Sequence, residues 1–282
     1  MKEQFQHKLT TSFFLWFDNF LLTKGEAFSN KTGDLFYYSD DRLDATYKAY
    51  GSPYKQWVTD SSITGATVPS GVYIGGNFSG RDDGVVLDFD NGRALVSGSS
   101  TDLTVTGSFA VKDFNVYITN DTEEDLVVEN KYTVNSRLPS GPYTYISPYD
   151  DVVPAVFIAS SDSTNSPFAF GGMQDTKVTM KAVVLAEDPY QLDGVLSIFM
   201  DSTEECINPI PMTGYPTTEL GDLKNNTYNY VNKRNEYSDE IKFYINGVTT
   251  SKLSDRDRKS LAHDLYVGFI DFDVQQHRYR FN

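Results

Sequence analysis

Cysteine is nearly missing from this chain: Cys206 is the only one in 282 residues. No disulfide can close within the chain, so folding needs no oxidising compartment. Histidine is almost as sparse, and His7, His263 and His277 lie far apart in sequence. A His-based metal site or catalytic triad would need tertiary convergence that no local spacing supports. The chain has no G-x-x-x-x-G-K-[ST] phosphate loop, no H-E-x-x-H pair and no G-x-S-x-G nucleophile elbow. Cys206 follows Glu204 and Glu205, two carboxylates that disfavour a reactive thiolate. Asp88-Phe89-Asp90-Asn91-Gly92 has Asp at the first and third places of a calcium loop. Its Gly falls fifth instead of sixth, and Ser99 stands twelfth where Glu is needed. A turn explains the same residues. The expectation is a protein with no catalytic residues, no cofactor and no metal, and so not an enzyme.

Long apolar runs are absent too. Phe13–Leu22 reads FFLWFDNFLL, but Asp18 and Asn19 interrupt it and it is too short to span a bilayer. No small-residue cleavage site accompanies it, so no membrane and no export are expected, and the protein stays in the cytoplasm where it is made. Positive charge is in short supply: 24 Lys and Arg face 39 Asp and Glu, for a net charge of −15. Such a surface repels phosphates and argues against nucleic acid as a main partner, although DNA could pass an acidic wall without specific binding.

What the chain has is aromatic residues, 19 Tyr and 19 Phe, within a hydrophobic content of 39% that marks a folded protein. Leu9, Phe13, Trp16, Phe17, Phe20 and Leu21 recur with helical spacing, and Gly25 after Lys24 predicts a left-handed stop. Leu35–Tyr38 predicts a short strand. From residue 63 to 135, apolar runs alternate with tight turns about every ten residues. Asn91-Gly92 between Val85–Phe89 and Arg93–Val96 predicts a two-residue hairpin. Asp125–Glu129 continues the strand-like pattern. A segment rich in Pro, Ser and Tyr follows at 136–151. Val152–Ile158 predicts a strand that is at an edge or begins after Pro154. Val178–Ala186 predicts a strand buried on both faces toward its end. Asp188-Pro189 predicts an N-cap with Pro at the first position of a helix whose buried face is Leu192, Val195, Leu196 and Phe199. Residues 207–235 read as a long loop. Asn246-Gly247 predicts a second hairpin, Ser254–Asp257 a capping box opening a short helix, and Tyr266–Val274 a last strand.

The fold class expected is α+β and β-rich, a mixed sheet with packed helices plus an all-β inserted subdomain. The expected segments are 1–62 (helix and connection), 63–135 (all-β subdomain), 136–151 (linker) and 152–282 (α+β domain with the strand–helix unit). Candidate subunit contacts are Phe13, Trp16, Phe17 and Phe20 on the helix, and Asn91 and Gly92 at a hairpin tip.

Three stretches carry a resemblance: the aromatic helix Phe13–Leu22; Val153–Ile158 with Pro167–Gly172 and the strand and helix that end near Asp201; and Val267–Asp273. Together they resemble neck and tail-completion proteins of tailed bacteriophages, of the tail-terminator type. That resemblance covers about half the chain and implies an N-terminal helix, a sheet and a crossing helix. It also implies a ring, expected to be hexameric, of copies of the chain at the head–tail connector, next to other neck or tail proteins. The protein would then be a virion component assembled in the host cytoplasm. The stretch 63–135 exceeds a minimal terminator and leaves other roles open: a collar, baseplate or fibre-associated virion protein, or a carbohydrate-binding β protein.

Overall fold

The computed structural model describes residues 2–43, 46–98, 100–129, 132–134, 150–169, 171–254, 256–257 and 265–279. Helix α1 (Phe5–Lys24) leads into β1 (Phe28–Tyr38) and β2 (Tyr47–Gly51). Next come β3 (Gly71–Ile74), β4 (Asn77–Gly80), β5 (Val85–Asp88), β6 (Arg93–Ser97) and β7 (Val105–Lys112). These strands form one seven-stranded sheet in the order β4-β3-β7-β1-β2-β6-β5. The sheet curls until its outer strands β4 and β5 approach each other around Leu35, Tyr50, Trp57, Phe89 and Phe109.

The chain then changes sheets. β8 (Asn115–Ile118) joins a second layer, followed by the short parallel pair β9 (Thr133–Val134) and β10 (Val152–Val153). β11 (Ala155–Pro167), β12 (Met173–Ala186), α2 (Pro189–Met200), β13 (Cys206–Ile207), α3 (Tyr230–Glu236), β14 (Phe243–Lys252) and β15 (Tyr266–Tyr279) complete it. This sheet runs β13-β14-β15-β12-β11-β8, with β8 parallel to β11 and the other neighbours antiparallel. The β-rich α+β class and the mixed sheet with packed helices are what the sequence predicts. No described helix is long and apolar enough to cross a membrane.

The segment boundaries differ from those read in the sequence. The first sheet takes β1 and β2 from before residue 63, and β8 from within 63–135 belongs to the second sheet. The reason is backbone pairing: β1 lies against β7 from Phe28↔Lys112 to Leu35↔Val105, although FSNKTGD has no apolar alternation to announce a strand. The proposed linker 136–151 lies outside the described residues except for Asp150 and Asp151.

Helix α1 is buried nearly all round from Thr11 to Phe17, which is why its second half, from Phe13, is a nearly continuous apolar run and not a stripe. One side packs with α2 against the second sheet, while Leu22 meets Val58, Ile63 and Ala110 beside the first. Gly25 ends it in right-handed backbone, φ −89°, and not in the left-handed region. A Cβ there would lie 2.7 Å from the Leu21 carbonyl oxygen and 2.9 Å from Ile198. Helix α2 forms as its sequence predicts, with the Asp188 carboxylate accepting from the Tyr190 and Gln191 N–H groups and the four named apolar residues buried.

Three local expectations change. Asn246-Gly247 makes no hairpin, because β14 runs straight through it with a bulge between Ile245 and Gly247. Asp125–Glu129 is a π-helical turn, not a strand. The loop 207–235 holds α3. Ser254 and Asp257 do make the capping contacts, at 2.6 and 3.2 Å, but most of the helix they would open lies outside the described residues.

One side chain ties the layers together. The Gln56 amide donates to the Val116 carbonyl (3.0 Å) and accepts from the Val116 N–H (2.9 Å), occupying the outer edge of β8 as a neighbouring strand would.

Candidate functional site

The predicted contact residues of α1 lie inside. Phe13 and Phe17 are wholly buried and Trp16 nearly so. Phe20 is half-buried against Trp16 (5.2 Å between ring centroids) and Phe199 (5.5 Å). Asn91 and Gly92 form no exposed tip either. The β5–β6 turn folds back onto residues 52–55, and a Cβ on Gly92, at φ +58°, would lie 2.0 Å from the Tyr54 carbonyl oxygen. The four α1 residues serve the fold of one chain, because α1 is sandwiched between two layers, while Gly92 is buried against residues 52–55 and half-buried Asn91 faces the cleft described below.

That turn holds a buried charge network instead. Asp88 accepts from the Asn91 N–H (3.0 Å), the Asn91 side chain (2.8 Å) and Arg93 Nε (2.7 Å). The Arg93 Nη1 group also donates to the Tyr38 hydroxyl (2.7 Å) and to Asp40 (2.5 Å). Burial would raise the Asp40 carboxyl, but the bonds from Arg42 and Arg93 outweigh it and hold it well below the usual carboxylate range. Burial pushes Tyr38 up to about 12. Asp88 is fully engaged by its own turn, and among the described residues no three His, Cys, Asp or Glu side chains gather to hold a metal ion.

Where α1, β7, β8 and the segments 55–60, 90–91 and 215–228 meet, a cleft of about 340 Å³ opens. Asp18, the residue that breaks the apolar run of α1, pairs with Lys112 of β7 at 2.6 Å. The next residue, Asn19, donates to Asp60 (2.8 Å), which also accepts from the Ser62 N–H (2.8 Å), the Ser62 hydroxyl (2.7 Å) and the Tyr230 N–H (3.0 Å). Asp90 touches the water of the cleft but is walled by protein on its other sides. Burial, then the charge of Asp88, pushes its carboxyl up to about 6 against the pull of Lys112. Burial brings the Lys55 ammonium down to about 8, although Asp88 and Asp151 favour its charge. The Tyr228 hydroxyl is buried with no hydrogen-bond partner among the described residues. Trp57, Tyr117 and Tyr215 complete the wall. The cleft can hold a small polar ligand between aromatic faces and hydrogen-bonding groups, with two groups that titrate on either side of neutrality.

Sequence reasoning missed the cleft because its charges come from five separated segments. The one local signal was Asp18-Asn19 inside the otherwise apolar run Phe13–Leu22. His7 accepts from the Gln4 N–H at 3.2 Å, whereas His277 lies 3.5 Å from Asp175, so those two are not brought together. His263 lies outside the described residues.

The second prominent feature is an exposed ribbon edge. β11, β12 and β15 run on together, and every residue from Ser160 to Pro167 on the edge strand β11 is exposed, whereas Thr176, Val178, Val274 and Gln276 on the two strands beside it are buried. A polar ladder stiffens it: Arg278 Nε donates to the Thr176 hydroxyl (2.9 Å), which donates to Asn165 (3.0 Å). Phe168, 57% exposed, stacks on His277 at 4.2 Å near the tip. The Arg278 guanidinium sits 4.3 Å over the Phe5 ring, which ties the ribbon to α1. No protein-family model matches the chain, and no curated protein matches it either.

Proposed function

We propose that this chain is a non-enzymatic structural subunit of a tailed-phage virion, working at the head–tail connector as a neck or tail-terminator component. The observation that carries the reading is the exposed edge strand β11, which presents polar backbone from Ser160 to Pro167 and an exposed aromatic, Phe168, at its end. A ring subunit needs two different surfaces that meet around a closed rotation, and an exposed edge on one side of the sheet supplies one of them. The partners are further copies in a ring, which the resemblance makes hexameric, and the adjoining neck or tail proteins. A wall with the chain's net charge of −15 would let DNA slide past instead of binding it. The test is quantitative mass spectrometry of purified virions, scaled to the major capsid protein. A copy number of a single ring supports the connector position. A much higher number points to tube, sheath or decoration instead, and absence from particles sinks the virion reading.

A second reading, a carbohydrate-binding β protein, is favoured by the cleft, where Tyr117 and Tyr215 stand beside carboxylates. Aromatic faces and hydrogen-bonding side chains together suit a sugar ring. A glycan array with no binding would remove it.

A further inference from the structure

Open sheet edges invite another strand, and folded chains normally seal them. This chain seals most of its own. The Gln56 amide occupies the edge of β8, and β4 and β5 close toward each other. β13 covers β14 at Phe243 and Tyr244, and Glu204 and Glu205 bond the backbone of Ile245. Two stretches are left open among the described residues. One is Gly247–Lys252 on the outer side of β14. The other is Ala159–Pro167 on the outer side of β11, beyond its last β8 partner, Ile158.

These two edges are complementary. They lie on opposite sides of one sheet, and the antiparallel steps β11–β12–β15–β14 make them run in opposite directions. A second copy that continues the sheet in the same orientation therefore brings its β11 antiparallel to β14, the more stable pairing per residue. Each stretch holds a single charged residue, Asp162 on β11 and Lys252 on β14. Pairing unlike edges brings these opposite charges into one interface, whereas pairing β11 edges with each other sets Asp162 close to Asp162, and pairing β14 edges leaves Lys252 opposite Gly247 with no carboxylate in the partner stretch. Lys252 meanwhile pairs only with exposed Asp193 in its own copy. A bulge interrupts each strand, between Ser160 and Ser163 on β11 and between Ile245 and Gly247 on β14, and leaves Ser163–Pro167 and Gly247–Lys252 as regular runs.

Register adds a constraint. Through the ladders Lys252↔Gly268, Gly268↔Val184 and Val184↔Val156, the open part of β14 stands level with the inner part of β11. Overlap of the two open stretches needs a shift of about four residues along the strands, roughly 13 Å. A constant shift from copy to copy tilts the strands around a closed rotation, as the stagger of a barrel does.

We propose that copies of this chain join head to tail by sheet continuation, with the outer edge of β14 (Gly247–Lys252) on one copy taking the outer edge of β11 (Ala159–Pro167) on the next. The setting rests on the assembly reading above; the contact itself names the partner as a second copy. The test uses the full chain with Cys206→Ser, carrying either Thr250→Cys or Ser163→Cys. Mixing the two proteins under oxidising conditions should give a disulfide-linked heterodimer within minutes, with neither protein cross-linking alone, and size exclusion with light scattering should show oligomers. Cross-links within either protein alone mean like-edge pairing and overturn the proposal, as does a monomer with no cross-link at any concentration. Asp162→Lys should abolish association without lowering Tm, and adding Lys252→Asp should restore it; indifference to both changes also overturns the proposal. A single-ring copy number in virions without the mixed cross-link would sink this edge and leave the assembly reading standing. The cross-link in a protein absent from virions would do the reverse.

Discussion

The rings of Phe17 and Phe199 lie face to face, 3.9 Å between centroids and 11° between planes, and join α1 to α2. Phe13, Trp16 and Phe272 surround the pair. Removing one ring leaves a cavity that rigid neighbours on both sides cannot close. Phe199→Ala should therefore cost about 3–5 kcal/mol of stability, read from urea unfolding midpoints. A loss below about 1 kcal/mol would mean that this helix pair is not central to the core.

Arg93 neutralises two carboxylates in a place without water. Arg93→Gln leaves buried Asp88 without its cation, while Asp40 keeps Arg42, and should destabilise by about 3–5 kcal/mol. The folded Asp40 carboxyl lies below its unfolded value, so its contribution is present above about pH 4 and is lost as pH falls from there. Asp40→Asn should flatten the acid limb of a plot of Tm against pH. An unchanged limb would rule out this carboxylate as a source of acid sensitivity.

Asp90 has the opposite sign. Its folded carboxyl sits at about 6, above the ordinary value of 3.8, so the unfolded chain releases the proton first. Stability contributed at this position falls as pH rises between those two values, and is fully present only below them. Asp90→Asn should raise Tm at pH 7 and leave it unchanged near pH 3. A rise of equal size at both pH values would show that charge is not the cause.

Gly92 is held by both geometry and space, since φ is +58° and a Cβ would strike the Tyr54 carbonyl. Gly33, in an open part of β1 with nothing within 4 Å, is its control. Gly92→Ala should lose more than about 1 kcal/mol, whereas Gly33→Ala should be neutral or slightly stabilising. Equal effects would mean the turn is free to move off residues 52–55.

The legible parts of this fold are those where pattern and chemistry coincide. Asp188-Pro189 announces α2, and the nearly unbroken apolar run Ala182–Ala186 announces a strand with both faces covered. The turn residues were ambiguous. Asn91-Gly92 closes a four-residue turn, Phe89–Gly92, with positive φ at Gly92 alone and not the two-residue hairpin expected, whereas Asn246 lies at a bulge because the partner strand β15 passes it without stopping. Strand β1 was invisible along Phe28–Asp34 because its pairing is made by backbone groups, which no side-chain pattern reports. The cleft was equally hidden. Asp18, Lys112, Asp60 and Asp90 acquire their meaning only when helix, sheet and loop converge. The apolar face of α1 was visible, but not that a second layer would cover its other side and take Trp16 out of reach of any neighbour.

The amide of Gln56, lodged in the ladder beside Val116, has a mechanical consequence. A side chain from the segment that crosses the first layer completes the hydrogen bonding of the second, so neither layer can open its shared border alone. The two should melt in one calorimetric transition whose van't Hoff and measured enthalpies agree. A load applied to the exposed end of β11 would then pass through β8 into the curled sheet behind it, and the whole chain would answer it as one block.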